Sequence, residues 1–192
     1  MTDLPPRIAA GHRANRGGFT LIEICTVVVI IAILATIALP SLGTRSDLDT
    51  SAAARVLVSD LLFAQSQAIA TGQKQYVSFT LASNQPGGGS GSYNLSCPEG
   101  TLLTNPTTRQ PYTQVMGTSA ANGLANVQLS ELSFDNASNS LLVFDSLGEP
   151  MACPVNGTPV PLAATGTIVL QSNGSTVTLS IEPDTGNITV SP

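Results

Sequence analysis

The chain has no Trp and a single His, and only 10% of its residues are charged. That one histidine, His12, lies in the first eighteen residues, so the rest of the chain has no imidazole. A Ser-His-Asp or Cys-His nucleophilic arrangement is therefore excluded there, as is a His-containing zinc site. The acidic residues Asp135, Asp145, Glu149, Glu182 and Asp184 are scattered and lack the dense D-x-D-x-D-G spacing of a calcium loop. They read as turn or solvated residues. Gly87-Gly88-Gly89-Ser90-Gly91 has no Gly-Lys-Ser/Thr ending, which argues for a flexible loop over a phosphate cradle. No enzyme activity, cofactor or metal is expected.

Basic residues are equally scarce. From Phe19 onward Arg45, Arg55, Lys74 and Arg109 stand against eleven acids, a net charge of −7. Displacing counterions from nucleic acid takes Lys and Arg, so the composition argues against DNA as a partner.

What the chain does have is one long apolar run. No charged residue occurs between Ile24 and Thr44, and Phe19 to Leu39 is almost entirely apolar or small. At 1.5 Å per residue, some twenty residues cover the roughly 30 Å hydrocarbon core. The expectation is a single transmembrane helix, since core helices seldom stay apolar all round for so long. Ahead of it, residues 1–18 carry Arg7, Arg13 and Arg16 against Asp3. Under the positive-inside rule these stay cytoplasmic and the C-terminal part lies outside. No A-x-A-like site closes the apolar run, so it is not an ordinary secretory signal.

Glu23 stands alone inside this run. A carboxylate there costs on the order of 2.5–3.5 kcal/mol on insertion scales and calls for a partner. The next base downstream, Arg45, is roughly 33 Å away along a helix. A cut before Phe19 would create an α-amine four residues from Glu23, available to its own chain or to a neighbour's carboxylate.

The stretch Gly17-Gly18-Phe19-Thr20-Leu21-Ile22-Glu23 resembles the prepilin processing site of type IV pilins and type II secretion pseudopilins. The resemblance implies cleavage after Gly18 by an inner-membrane prepilin peptidase and N-methylation of Phe19. It also implies that Glu23 guides assembly by meeting the amine of an adjacent subunit. Pilin helices often carry a proline where Pro40 stands; it removes one helical hydrogen bond and kinks the helix.

Beyond Pro40, a second helix is expected. Ser46 or Asp47 is placed to cap it, and Ala53, Val56, Leu57, Leu61, Ala64, Ala68 and Ile69 recur at three- and four-residue steps. Gly72 is placed to stop it. After Gly72 the pattern turns to strands: 75–81, 92–97, 127–134, 140–145, 166–171, 175–181 and 187–190. Asn173-Gly174 and Asp184-Thr185-Gly186-Asn187 read as hairpin turns, and Gly148 as a tight bend. Pro98 to Asn126 is polar and turn-rich, with little regular structure expected.

Ala64-Gln65-Ser66-Gln67-Ala68-Ile69-Ala70-Thr71-Gly72-Gln73 and Phe144-Asp145-x-x-Gly148-x-Pro150 resemble segments of the GspH/FimT minor pilin group, as does the ending from Gly166 to Ile188. Some members of that group bind DNA through a basic C-terminal region, which the turn at Asp184–Asn187 does not reproduce.

The expected fold is α+β, pilin-like: a long N-terminal helix, half transmembrane and half amphipathic, packed on an antiparallel β-sheet domain. Residues 1–18 form a cleaved leader, 19–42 the transmembrane and assembly helix, 43–72 the amphipathic helix, and 73–192 an extracytoplasmic β-rich domain. The implied role is a minor pseudopilin of a type II secretion pseudopilus, assembled by helix bundling and placed at the tip, or alternatively a minor pilin of a type IV pilus, at the tip, in initiation or as a DNA-uptake receptor. Its implied partners are other major and minor pilins, the prepilin peptidase, an inner-membrane assembly platform and membrane lipid. Cys25 reads as a small apolar residue of the membrane helix. Cys97 and Cys153 lie in the outer part, where a disulfide between them is a candidate.

Overall fold

The computed structural model describes residues 20–38, 43–84, 89–98, 100–117, 124–135, 140–153 and 158–192, with the side chains of 36–38 and 43–44 left aside. Gly18, Phe19, Pro40 and residues 136–139 lie outside the described residues. The chain divides into two compact units, one ending at Ser41 and the other running from Leu42 to Pro192. In the first unit the described element is helix α1, Leu21–Ala38.

The second unit opens with helix α2, Gly43–Thr71. Its start corrects the expected cap at Ser46 or Asp47: both lie inside the helix, and the Ser46 carbonyl accepts from the Thr50 hydroxyl at 2.9 Å. Thr50, Ala53, Ala54, Leu57, Asp60, Leu61, Ala64 and Ala68 are buried, at the three- and four-residue steps that put them on one face. Ile69 does not belong to that face; it is 55% exposed. Gly72 ends the helix at φ +64°, the left-handed conformation that glycine adopts without steric cost.

Among the described residues ten strands follow, in two antiparallel sheets. The first sheet has the order β3-β2-β1-β5-β6-β7. Its strands are β1 (Gln75–Thr80), β2 (Ser92–Ser96), β3 (Thr113–Val115), β5 (Leu141–Phe144), β6 (Pro150–Ala152) and β7 (Val160–Pro161). The second sheet, β10-β9-β8-β4, is built from β4 (Gln128–Ser133), β8 (Gly166–Ser172), β9 (Ser175–Ile181) and β10 (Ile188–Ser191).

Register follows the alternation of side chains. In β8 every second residue from Gly166 to Ser172 is buried, and β9 continues the pattern through Val177, Leu179 and Ile181. The two are joined by Asn173-Gly174 at φ +39° and +91°, the two positive values that a type I′ turn requires. That turn fixes Ser172 opposite Ser175 and Gly166 opposite Ile181.

Helix α2 packs on β1 and β5 of the first sheet and on β8 and β9 of the second. One core results. Leu57 and Leu61 meet a shell that includes Phe79, Leu95, Phe134, Leu142, Phe144, Ile168, Leu170 and Leu179. Phe79 lies 6.0 Å, ring to ring, from both Tyr93 and Phe134.

The segment expected to be irregular, 98–126, is partly ordered onto this core. It contributes β3, bridges from Leu102 to Ser96 and from Pro111 to Thr104, and the buried side chains Tyr112, Met116 and Leu124. Strands β6 and β7 were not expected either. Each is very short and contains a proline, and Pro161 falls in the edge strand, where a missing N–H is tolerated.

Candidate functional site

Helix α1 begins with a local signal that the sequence reading passed over. Thr20 precedes the helix and Glu23 stands three residues on, the Thr-x-x-Glu spacing of a capping box. The Thr20 hydroxyl oxygen accepts from the Glu23 backbone N–H at 3.3 Å. Glu23 thus occupies the first turn, where a carboxylate also favours the helix dipole.

Every described side chain of α1 is exposed, including ten large apolar ones from Leu21, 82% exposed, to Leu34, 59% exposed. Removing ten such side chains from water is worth on the order of 15–30 kcal/mol. Among the described residues no helix is long and apolar enough to cross a membrane.

A second polar feature sits in the β-rich unit. Asp60 interrupts the apolar face of α2 between Leu57 and Leu61 and is only 6% exposed. The Tyr93 hydroxyl donates to Asp60 Oδ2 at 2.6 Å and the Tyr112 hydroxyl to Oδ1 at 2.8 Å. The Gln114 side chain adds a further hydrogen bond. Sequence reasoning missed this cluster. Its signal was an acid at a buried helical position, which demands hydrogen-bond partners from elsewhere in the chain.

Burial raises the Asp60 carboxyl above the ordinary carboxylate range, against the opposing effect of its three donors. The phenols of Tyr93 and Tyr112 are pushed up as well, first by burial and then by the neighbouring carboxylate. The folded chain therefore holds a proton on Asp60 at pH values where the unfolded chain has released it. Stability falls as pH rises from the ordinary carboxylate range through the raised value, and is level above it. Asp60→Asn removes this slope. The stability of the wild type minus that of D60N is expected to increase as pH falls toward about 4, measured by urea unfolding at a series of pH values.

Cys25 is exposed on α1. Cys97 and Cys153 do not form a disulfide, and the Cys97 thiol contacts the Thr101 carbonyl at 3.2 Å. Strand order gives the reason. The two cysteines follow β2 and β6, which flank β1 and β5 and run antiparallel to each other, so three inter-strand spacings, about 14 Å across the sheet, lie between them and they leave it at opposite ends. A disulfide needs Cα atoms within roughly 7 Å.

Asp135 accepts from the backbone N–H groups of Ala163 and Ala164 at 2.8 and 2.9 Å, and Asp145 from those of Leu147 and Glu149. Both tie loops together. Among the described residues no three His, Cys, Asp or Glu side chains gather as a metal site would require.

Residues 53–186, well over half of the chain, match the family model for the type II transport protein GspH. The chain belongs to the GspH family. Residues 13–39 match the prokaryotic N-terminal methylation motif, which contains Glu23 and the whole of α1. A GspH-family chain with this motif is a structural subunit of the pseudopilin and minor pilin class, and the α+β architecture agrees with a pilin-like fold. The family is membrane-anchored through its N-terminal helix, interacts with other pseudopilins and is processed by prepilin peptidase. No curated protein and no solved structure matches the chain.

Proposed function

We propose that this GspH-family chain is a minor pseudopilin of a type II secretion pseudopilus, cut after Gly18 and methylated on Phe19. The observation that carries the proposal is α1: a helix exposed on every described side, apolar all round, with one carboxylate in its first turn. Such a helix needs lipid before assembly and other helices after it. Before assembly the precursor is held in the bacterial inner membrane by a single pass, with the β-rich unit in the periplasm. Extraction into the pseudopilus exchanges lipid contacts for helix contacts, and the α-amine of a neighbouring Phe19 compensates Glu23. As a minor subunit the chain acts at the tip or in initiation. The second reading is a minor pilin of a type IV pilus, supported by the same motif, with the acidic composition opposing a DNA-uptake role.

The test is the mass of the N-terminal peptide from cells with and without a matched prepilin peptidase. With the peptidase, a mature chain starting at Phe19 and about 14 Da heavier than simple cleavage gives is expected. An intact Met1 start in its presence overturns the reading.

A further inference from the structure

The hydrogen-bonded carboxylate of Asp60 forms one wall of a cleft of about 320 Å³ between α2 and the turn at 105–109. Phe63 and Tyr112 stack beside it, ring centroids 5.3 Å apart and 23° from parallel. Asn105, Thr107 and Thr108 form the opposite rim. That rim is held in shape by the Asn105 side-chain oxygen, which accepts from the N–H groups of Thr107 and Thr108 at 2.8 and 3.2 Å. The cleft is therefore built on both sides, by a helix and by a pinned turn.

Among the described residues Asp60 is the one charged residue that lines it, and Arg109, exposed at the end of the turn, does not. A buried carboxylate is usually compensated by a cation, because neutral donors leave its charge in place. Here the groups on Asp60 are two phenols and an amide, all neutral, and no Lys or Arg of the described residues is within ion-pair distance. A carboxylate offers about four acceptor positions, so one stays available to a donor entering the cleft. The aromatic pair favours a planar cation, since guanidinium stacks on ring faces and an ammonium does so less well.

We infer that the cleft between α2 and the 105–109 turn is a binding site for a guanidinium group, an arginine side chain presented by another polypeptide. The guanidinium lies against Phe63 and Tyr112 and donates to the open position of Asp60. This site is separate from α1 and Glu23, and it stands whether the chain serves a pseudopilus or a pilus. The acidic balance of the chain from Phe19 onward steers basic surfaces toward it.

The chain itself supplies the readout. It has no Trp and three Tyr, and two of those three donate to Asp60. Titrating N-acetyl-argininamide into the full chain in detergent micelles is expected to change tyrosine emission saturably, and N-acetyl-lysinamide to do so more weakly. Asp60→Asn is expected to weaken argininamide binding about tenfold or more, the scale of a lost charge-assisted contact. Tyr112→Phe keeps the ring and the carboxylate and frees an acceptor position, so binding is expected to persist or tighten. Binding that survives Asp60→Asn unchanged overturns the site. So does equal loss in D60N and Y112F with both folded by circular dichroism, because that leaves Asp60 a purely structural tie. Repeating the titration on sheared filaments separates two sources of the arginine. A silent site there means that a neighbouring subunit fills it, and a responsive one means that the partner comes from outside the filament.

Discussion

Leu61→Ala is expected to lower the stability of the β-rich unit by about 2–5 kcal/mol. Leu61 has no exposed surface and faces the core between both sheets. Removing its side chain loses the transfer free energy and leaves a cavity that two sheets and a helix cannot close together. Domains of this size hold only about 5–15 kcal/mol in total, so one such change takes a large fraction. The adjacent Leu62 is 47% exposed, and Leu62→Ala is expected to cost about 1 kcal/mol or less. Urea unfolding of the two variants in detergent, followed by circular dichroism, measures the contrast. Equal midpoints would contradict the assignment of the buried face.

Glu23→Val is expected to leave a cleaved, membrane-held chain whose recovery in sheared filaments falls roughly tenfold or more, equivalent to about 1.4 kcal/mol of lost pairing. Valine relieves the insertion penalty of the carboxylate, so membrane retention does not suffer. It removes the charge that compensates a neighbour's α-amine, and with it the preference for the correct axial position in a bundle of otherwise uniform apolar helices. The cap contributes little to this loss, because the Thr20 hydroxyl accepts from the backbone N–H of residue 23 and not from its side chain. Immunoblots of sheared and cell fractions, with the N-terminal sequence checked in each, provide the comparison. Normal filament recovery of a correctly cleaved Glu23→Val chain would remove the assembly role from Glu23.

Features built from residues near in sequence were legible in the chain alone. The uniform apolar run required a helix with no preferred face, and the spacing of Ala53, Leu57, Leu61, Ala64 and Ala68 required one with a single buried face. Asn173-Gly174 specified its turn and thereby the β8–β9 register, because both residues tolerate positive φ. These elements carry their instructions within a few residues. Strands β3, β6 and β7 do not. They are two or three residues long, and two of them contain proline, so only pairing with a neighbour defines them as strands.

The sequence by itself determined that the chain has a lone carboxylate in an all-apolar run, no imidazole beyond residue 18 and too few cations for nucleic acid. Periodicity, composition and charge are properties of the chain, and they survive any folding. Only the tertiary structure decided that Cys97 and Cys153 stand three strands apart and that Tyr93 and Tyr112 close over Asp60. Those facts depend on strand order and on contacts between residues 33 and 52 positions apart. No local pattern encodes such distances, because they arise when two sheets and a helix bury one common core.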